Sequence, residues 1–221
     1  MQITHLGHSC VLLEVADQRI LIDPGNFSDF ASARDLTAVV VTHQHPDHVD
    51  PAQLAPLLAA NPAARVLMEG QTRGVLTEAA GDQAHRLESM SSGTDILLGP
   101  VTLSPVGQRH AVIHDYVPRI DNTGVVLRAE GEPSVFHPGD ALDAEPGDVD
   151  VLLVPLNAPW ARIGDTVEFA RRIAPARAIP IHDGLLNERG RNLAVTKLGE
   201  LSETRLLDLR DHRLPYFEET V

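Results

Sequence analysis

Short apolar runs separated by polar breaks recur along the chain, and most runs have the length and β-branched character of strands. Residues 2–5, 10–15 and 19–22 read as three strands, with Ala16-Asp17-Gln18 as a turn between the last two. The run Thr37-Ala38-Val39-Val40-Val41 is rich in β-branched residues and reads as a buried strand. After it, Asp50-Pro51 supplies an N-cap and a first-turn proline. The alanine-rich stretch 51–60 then reads as a helix, either bent at Pro56 or with its first turn separate. Further strands are expected over 65–68, 95–98, 101–106, 123–129, 134–136, 149–155 and 177–181. The run 149–155 is apolar enough for burial on both faces. Three more helices complete the pattern. One spans 72–80 and ends at Gly81. One starts at the capping-box pattern Asp165-Thr166-Val167-Glu168, carries Val167, Ala170 and Ile173 at helical spacing, and stops at Pro175. One is amphipathic over 192–201, with Leu193, Ala194, Leu198 and Leu201. From Arg205 the tail is charged and mixed. Two successive stretches of strands followed by helices suggest an α/β protein with two similar halves.

The chemistry concentrates at one break. Thr42-His43-Gln44-His45-Pro46-Asp47-His48-Val49-Asp50 places three histidines and an aspartate within six positions, on the loop between a strand and a helix. Imidazole with carboxylate suits zinc and similar divalent ions. Residues two apart on an extended segment point the same way, and Pro46 biases His45 toward that conformation. His43 and His45 can therefore grip one ion. Asp47 and His48 follow the turn and face a second ion, or the water beside the first. One loop cannot close two metal sites, so further ligands are expected at other strand ends. His110 follows strand 101–106, Asp140 closes His137-Pro138-Gly139-Asp140, and His182 ends the run Ile179-Pro180-Ile181. His114 rivals His110, which is preferred because it directly follows the strand and a glycine-containing turn.

The order His-x-His-x-Asp-His, a lone His, a Gly-Asp and a final His resembles the metallo-β-lactamase superfamily. The opening Ile3-Thr4-His5-Leu6-Gly7-His8-Ser9-Cys10 with Ile20-Leu21-Ile22-Asp23-Pro24 resembles, more narrowly, its L-ascorbate-6-phosphate lactonase-like branch. The resemblance implies a four-layer αββα sandwich over residues 1–221 as a single domain. It also implies two divalent ions, zinc or manganese. His43, His45 and His110 would hold the first, Asp47, His48 and His182 the second, and Asp140 would bridge them. Asp47 would also orient the nucleophile and take a proton during turnover, as the catalytic residue, while Asp23 would support a ligand. The implied activity is metal-dependent hydrolysis of an ester, lactone or related bond in a small molecule. A phosphodiesterase or nuclease on the same centre, and a non-catalytic metal-dependent binder, are the rival readings.

Composition narrows these options. The formal net charge is −13, from 18 basic and 31 acidic residues, with no basic run. Such a surface repels a phosphate backbone, so nucleic acid is not an expected partner. The single cysteine, Cys10, excludes an intrachain disulfide, fits a reducing cytoplasmic compartment and reads as a packing residue. No signal peptide or membrane span is expected. Four residues near the motifs have two readings each. His8 is either a group approaching the metals or a turn histidine held by backbone. Arg119 is either an anion contact or a surface arginine. Trp160 is either a pocket wall or part of the core. His137 is either structural or a support to a ligand.

Overall fold

The structure is a computed structural model that describes residues 1–210 and the strand Arg213–Leu214. In chain order the first half comprises β1 (Gln2–Gly7), β2 (Cys10–Val15), β3 (Gln18–Ile22), β4 (Ala38–Val41), α1 (Pro51–Ala60), β5 (Arg65–Met68), α2 (Gly70–Leu76) and β6 (Leu87–Ser89). The second half comprises β7 (Ile96–Leu98), β8 (Val101–Val106), β9 (Gly124–Arg128), β10 (Val135–His137), β11 (Val151–Pro155), α3 (Ile163–Ile173), β12 (Arg177–Ile181), α4 (Glu188–Leu201) and β13 (Arg205–Leu206). The strand β14 (Arg213–Leu214) returns to the first sheet.

Two seven-stranded sheets form, in the orders β14-β1-β2-β3-β4-β5-β6 and β13-β12-β11-β10-β9-β8-β7. Each sheet has antiparallel pairs on one side and parallel pairs on the other. In the first, β14 to β3 pair antiparallel and β3 to β6 parallel. In the second, β7 to β10 pair antiparallel and β10 to β13 parallel. The two halves expected from the sequence therefore share one pairing scheme.

Side-chain alternation assigns the layers. In β4, Ala38 and Val40 join a cluster that also holds Leu103, Val125, Val151, Leu153 and Ile179, so it lies between the sheets. Val39 and Val41 point the other way, toward Leu54, Leu57 and Leu58 of α1. In β11, Leu152 and Val154 likewise face Val167, Phe169 and Ala170 of α3. Burial on both faces explains why these strands are apolar at every position. The layers run helix, sheet, sheet, helix, which is the αββα sandwich.

Local differences from the sequence reading have identifiable causes. The helix α1 runs through Pro56, and Asp50 caps it by accepting from Ala52 N at 2.9 Å. Helix α2 starts at Gly70, earlier than residue 72. Its N-cap is Glu69, an unusual cap whose carboxylate accepts from the Gln71 and Thr72 amides. It stops at Leu76, and a 3-10 turn over Gly81–Arg86 follows. In α3, Asp165 is the third helical residue and not the cap: its carboxylate accepts from Arg162 N at 3.2 Å. Helix α4 begins at Glu188, capped by Asn187, four residues ahead of the expected start. Cys10 is fully buried in the outer cluster, in keeping with a packing role.

Candidate metal centre

Six strand ends meet at one edge of the sandwich. From the first sheet come His8 after β1, Asp23 after β3 and the 42–50 loop after β4. From the second come His110 after β8, Asp140 after β10 and His182 after β12. Their donor atoms form two groups, His43, His45, His110 and Asp140 in one, and His8, Asp47, His48 and His182 in the other. Within each group the atoms lie within 4.8 Å of one another. His43, His48, His110, Asp140 and His182 are buried, while His45 and Asp47 are half-buried. All seven sequence-derived candidates converge. His110 is among them and His114 is not, because His114 is exposed with its ring against Tyr116.

Hydrogen bonds from outside the groups aim the rings. Asp23 Oδ2 accepts from His48 Nδ1 at 2.7 Å and from Thr42 Oγ1 at 2.7 Å. Thr42 Oγ1, having given its hydrogen to Asp23, accepts from His43 Nδ1 at 3.1 Å. The Ala111 carbonyl accepts from His110 Nδ1 at 2.7 Å, and the Asn157 carbonyl accepts from His182 Nδ1. These partners assign the hydrogen of all four rings to Nδ1, so each Nε2 presents a lone pair to the cluster.

Asp140 stands between the groups. Its Oδ1 lies 3.2 Å from His48 Nε2 and 3.2 Å from His182 Nε2, and its Oδ2 lies 3.3 Å from His110 Nε2. One carboxylate therefore offers an oxygen to each side. Its backbone is held by Asn122, whose Oδ1 accepts from Asp140 N at 2.9 Å and whose Nδ2 donates to Pro138 O at 2.9 Å. Gly139 has φ +60, and a Cβ there would lie 2.3 Å from Asn122 Oδ1 and 2.7 Å from Thr42 Oγ1, so the turn needs glycine.

Among the described residues, His48 Nε2, His110 Nε2, His182 Nε2 and Asp140 Oδ1 are buried without a hydrogen-bond partner. One such atom costs ~1–3 kcal/mol. Four in one place, all nitrogen or carboxylate donors, are the donor set of a divalent cation. His43 Nε2 and His45 Nδ1 face each other at 3.0 Å. Two 2.0–2.1 Å bonds at a tetrahedral angle would place such atoms about 3.3 Å apart. The residues present fit divalent metal.

The electrostatics agree with a site built for positive charge. Burial holds the His43 ring well below the usual histidine range, reinforced by the neighbouring His48. Burial also opposes charge on His48, but the Asp140 and Asp23 carboxylates outweigh it and raise that ring well above the range. They therefore favour a positive charge at Nε2, which a proton supplies in the metal-free ring and a divalent ion would supply in its place. For Asp140, burial favours the neutral acid, yet His48 and His182 outweigh it and keep the carboxyl well below its usual range. Asp47 is likewise opposed by burial, and the hydrogen bond from His8 together with His48 brings it down to about 2.

His8 has a separate role. Its backbone is left-handed, at φ 52. Its Nδ1 accepts from Gly184 N at 3.0 Å, so Nδ1 carries no hydrogen. Nε2 must carry it and donates to Asp47 Oδ2 at 3.0 Å. In this tautomer His8 has no lone pair for a metal although it lies among the donors, and it orients Asp47.

Other residues hold the frame. His137 donates from Nε2 to Ser9 O at 2.8 Å and is structural. Arg119 donates from Nε to His110 O and from Nη2 to Asp143, so it braces the His110 loop. Trp160 donates from Nε1 to Asp140 Oδ2 at 3.3 Å and walls the adjoining cavity. Sequence reasoning did not find Asn122 or Arg191. Arg191 is 1% exposed, pairs with Asp183 at 2.6 Å and forks onto Asp208 at 2.6 and 2.8 Å, fixing the chain just past His182. Its position on the same helical stripe as Ala194 and Leu198 was the available signal.

Fold and site together define a metallo-β-lactamase-type protein. The family described as Beta-lactamase superfamily domain matches residues 2–182, and the chain belongs to the metallo-β-lactamase superfamily, as a metal-dependent hydrolase. Protein Rv0786c of Mycobacterium tuberculosis is 39% identical to it, over 92% of this chain and 94% of that protein. A UPF0173 metal-dependent hydrolase of Methylobacterium nodulans is 29% identical over 83% of this chain and 85% of that protein. The metallo-β-lactamase fold protein YhfI of Bacillus subtilis superposes with a TM-score of 0.73 at 14% identity, over 96% of this chain and 98% of that one. At that identity the likeness concerns the fold. No helix among the described residues is long and apolar enough to cross a membrane.

Proposed function

We propose that residues 1–221 act as one domain that hydrolyses an ester, lactone or related bond in a small molecule at a dinuclear centre, with zinc as the ion and manganese as the alternative. The observation that carries this reading is the two-sided carboxylate of Asp140, set between donor groups whose buried nitrogens otherwise lack partners. His43, His45 and His110 would hold one ion, Asp47, His48 and His182 the other, and Asp140 both. Divalent ions held here would polarise the scissile oxygen and acidify a water.

The remaining work falls to the chain. Thr42, Asp23 and the Ala111 and Asn157 carbonyls keep hydrogen on the outer nitrogens of the ligand rings, so those rings stay neutral donors when loaded. Asp47 is the catalytic carboxylate. It orients the attacking water and accepts its proton, while the Nε2 hydrogen of His8 fixes the direction of Oδ2. His8 passes no proton onward, because Nδ1 already accepts from an amide. Burial of the other donors keeps bulk water from competing. The acidic balance of the chain, −13, favours a small molecule over nucleic acid.

The test combines metal analysis with a hydrolysis screen over aryl esters, lactones and a chromogenic phosphodiester. Wild-type protein should carry close to two ions per chain and cleave the ester or lactone class. His45→Ala and Asp140→Ala should lose metal and hydrolysis together. Full metal and full rate in Asp140→Ala would end the bridging assignment.

A further inference from the structure

A cavity of about 370 Å³ opens beside the centre, bounded on its inner side by His45, Asp47, Asp140 and His182. Its outer wall is apolar. Phe27, Ile113, Trp160 and Leu185 come from the loops after β3, β8, β11 and β12, so four separate segments each set an apolar group around one mouth. Phe27, Ile113 and Leu185 are 45%, 39% and 51% exposed, although each is large and apolar. Exposed apolar side chains gathered at a site mark a binding surface. No lysine or arginine lines the cavity among the described residues. The arginines of the adjoining loops are engaged: Arg119 by His110 O and Asp143, and Arg162 by Asp165.

This wall discriminates by charge. A carboxylate or phosphate on the part of the substrate remote from the reacting bond would leave water and find no cation there, only the neutral amide of Asn26. Each methylene seated on the wall gains ~0.8 kcal/mol, about fourfold in binding. Resting on the hydrolase reading above, we propose that the substrate is an uncharged ester or lactone whose acyl part carries an apolar chain or ring, seated against Phe27, Ile113, Trp160 and Leu185. Hydrolysis consumes one water. Its oxygen joins the acyl carbon, the acyl C–O bond breaks, and its two hydrogens go to the alcohol oxygen and to the carboxyl product, which then ionises.

Two measurements on zinc-loaded full-length protein test this. The first is kcat/KM for 4-nitrophenyl acetate, butyrate, pentanoate and hexanoate, and for mono-4-nitrophenyl glutarate, which places a carboxylate at the chain end. The expected rise is about fourfold per methylene until the cavity fills, with glutarate roughly tenfold or more below pentanoate. Leu185→Arg, a substitution at an exposed position, should shift that ratio toward glutarate by tenfold or more. The second measurement needs no turnover. Trp160 is the sole tryptophan, so its fluorescence reports occupancy of the cavity. Hexanamide should perturb it and bind more tightly than acetamide, again by about fourfold per methylene. Glutarate cleaved as well as pentanoate, or hexanamide binding no better than acetamide, overturns the proposal and leaves the hydrolase reading standing. Chain-length-dependent amide binding without cleavage of any ester or lactone supports the apolar site and ends the ester and lactone reading instead.

Discussion

Replacing Gly25 by alanine tests whether the metal loop is braced from behind. Gly25 lies just past β3, against the backbone of the loop that carries four candidate ligands. An added Cβ would sit 1.8 Å from Asp47 O, 2.0 Å from Asp47 C and 2.6 Å from His48 N. Cβ contacts below 3.0 Å are essentially never realised, so the 47–48 backbone would have to withdraw by more than 1 Å. No flexible side chain can absorb the overlap, because every close atom is main chain. The two segments are also stitched together, with Asn26 N donating to Pro46 O at 2.8 Å and Asp50 N to Pro24 O at 2.9 Å. Overpacking of this kind costs about 1–3 kcal/mol of stability. A displacement near 1 Å at reacting groups costs about a hundredfold in rate. Metal content, urea denaturation and ester hydrolysis read the three consequences. Gly74→Ala is the control: it lies exposed in α2 with nothing within 4 Å of the added Cβ. It should keep metal and rate, and gain roughly 0.4–1 kcal/mol. If Gly25→Ala held its metal and turned over at the wild-type rate, the bracing of the loop would be refuted.

Further outcomes follow from the same geometry. His8→Ala should keep its metal and lose roughly 10–100-fold in rate, and nitrogen NMR of the loaded wild type should find the His8 hydrogen on Nε2. A His8 nitrogen bonded to metal would contradict the tautomer. Arg191→Met leaves the buried Asp183 with only its longer contact to Arg210, at 3.7 Å, and should cost up to about 3 kcal/mol; a loss under ~1 kcal/mol in urea would show that the buried Arg191–Asp183 pair is not needed. Hydrogen bonds from Arg191 hold the Asp208 carboxyl below its usual range. That stabilisation is complete above the unfolded value, near pH ~3.9, and is lost as pH falls through the lower folded value. The deficit of Asp208→Asn at pH 7 should therefore shrink in acid titration. Burial raises the Cys10 thiol far above its usual value, so it should resist a thiol reagent in the native protein and react on unfolding.

The sequence disclosed the parts whose causes are local. The 42–50 loop was legible because four donors crowd one strand-to-helix break. His110, Asp140 and His182 were legible singly only as polar residues at strand ends, and the family resemblance made them a set. The residues that steer the site were harder to read, because their partners are remote in sequence. His8 takes its tautomer from Gly184, 176 positions away, and Asn122 holds Asp140 across 18. The strands β6 and β13 are three and two residues long, too short for a pattern, and exist through pairing with β5 and β12. Asp165 was placed one turn too early in its role because an acid at the third helical residue and an acid at the cap look alike in sequence.

The most direct measurement is anomalous diffraction at the zinc edge from crystals grown with zinc. Two ions ~3.5–4 Å apart, with Asp140 Oδ1 on one, Oδ2 on the other and His8 on neither, are the predicted result. One ion or none, or an Asp140 carboxylate turned away from both groups of histidines, would contradict it.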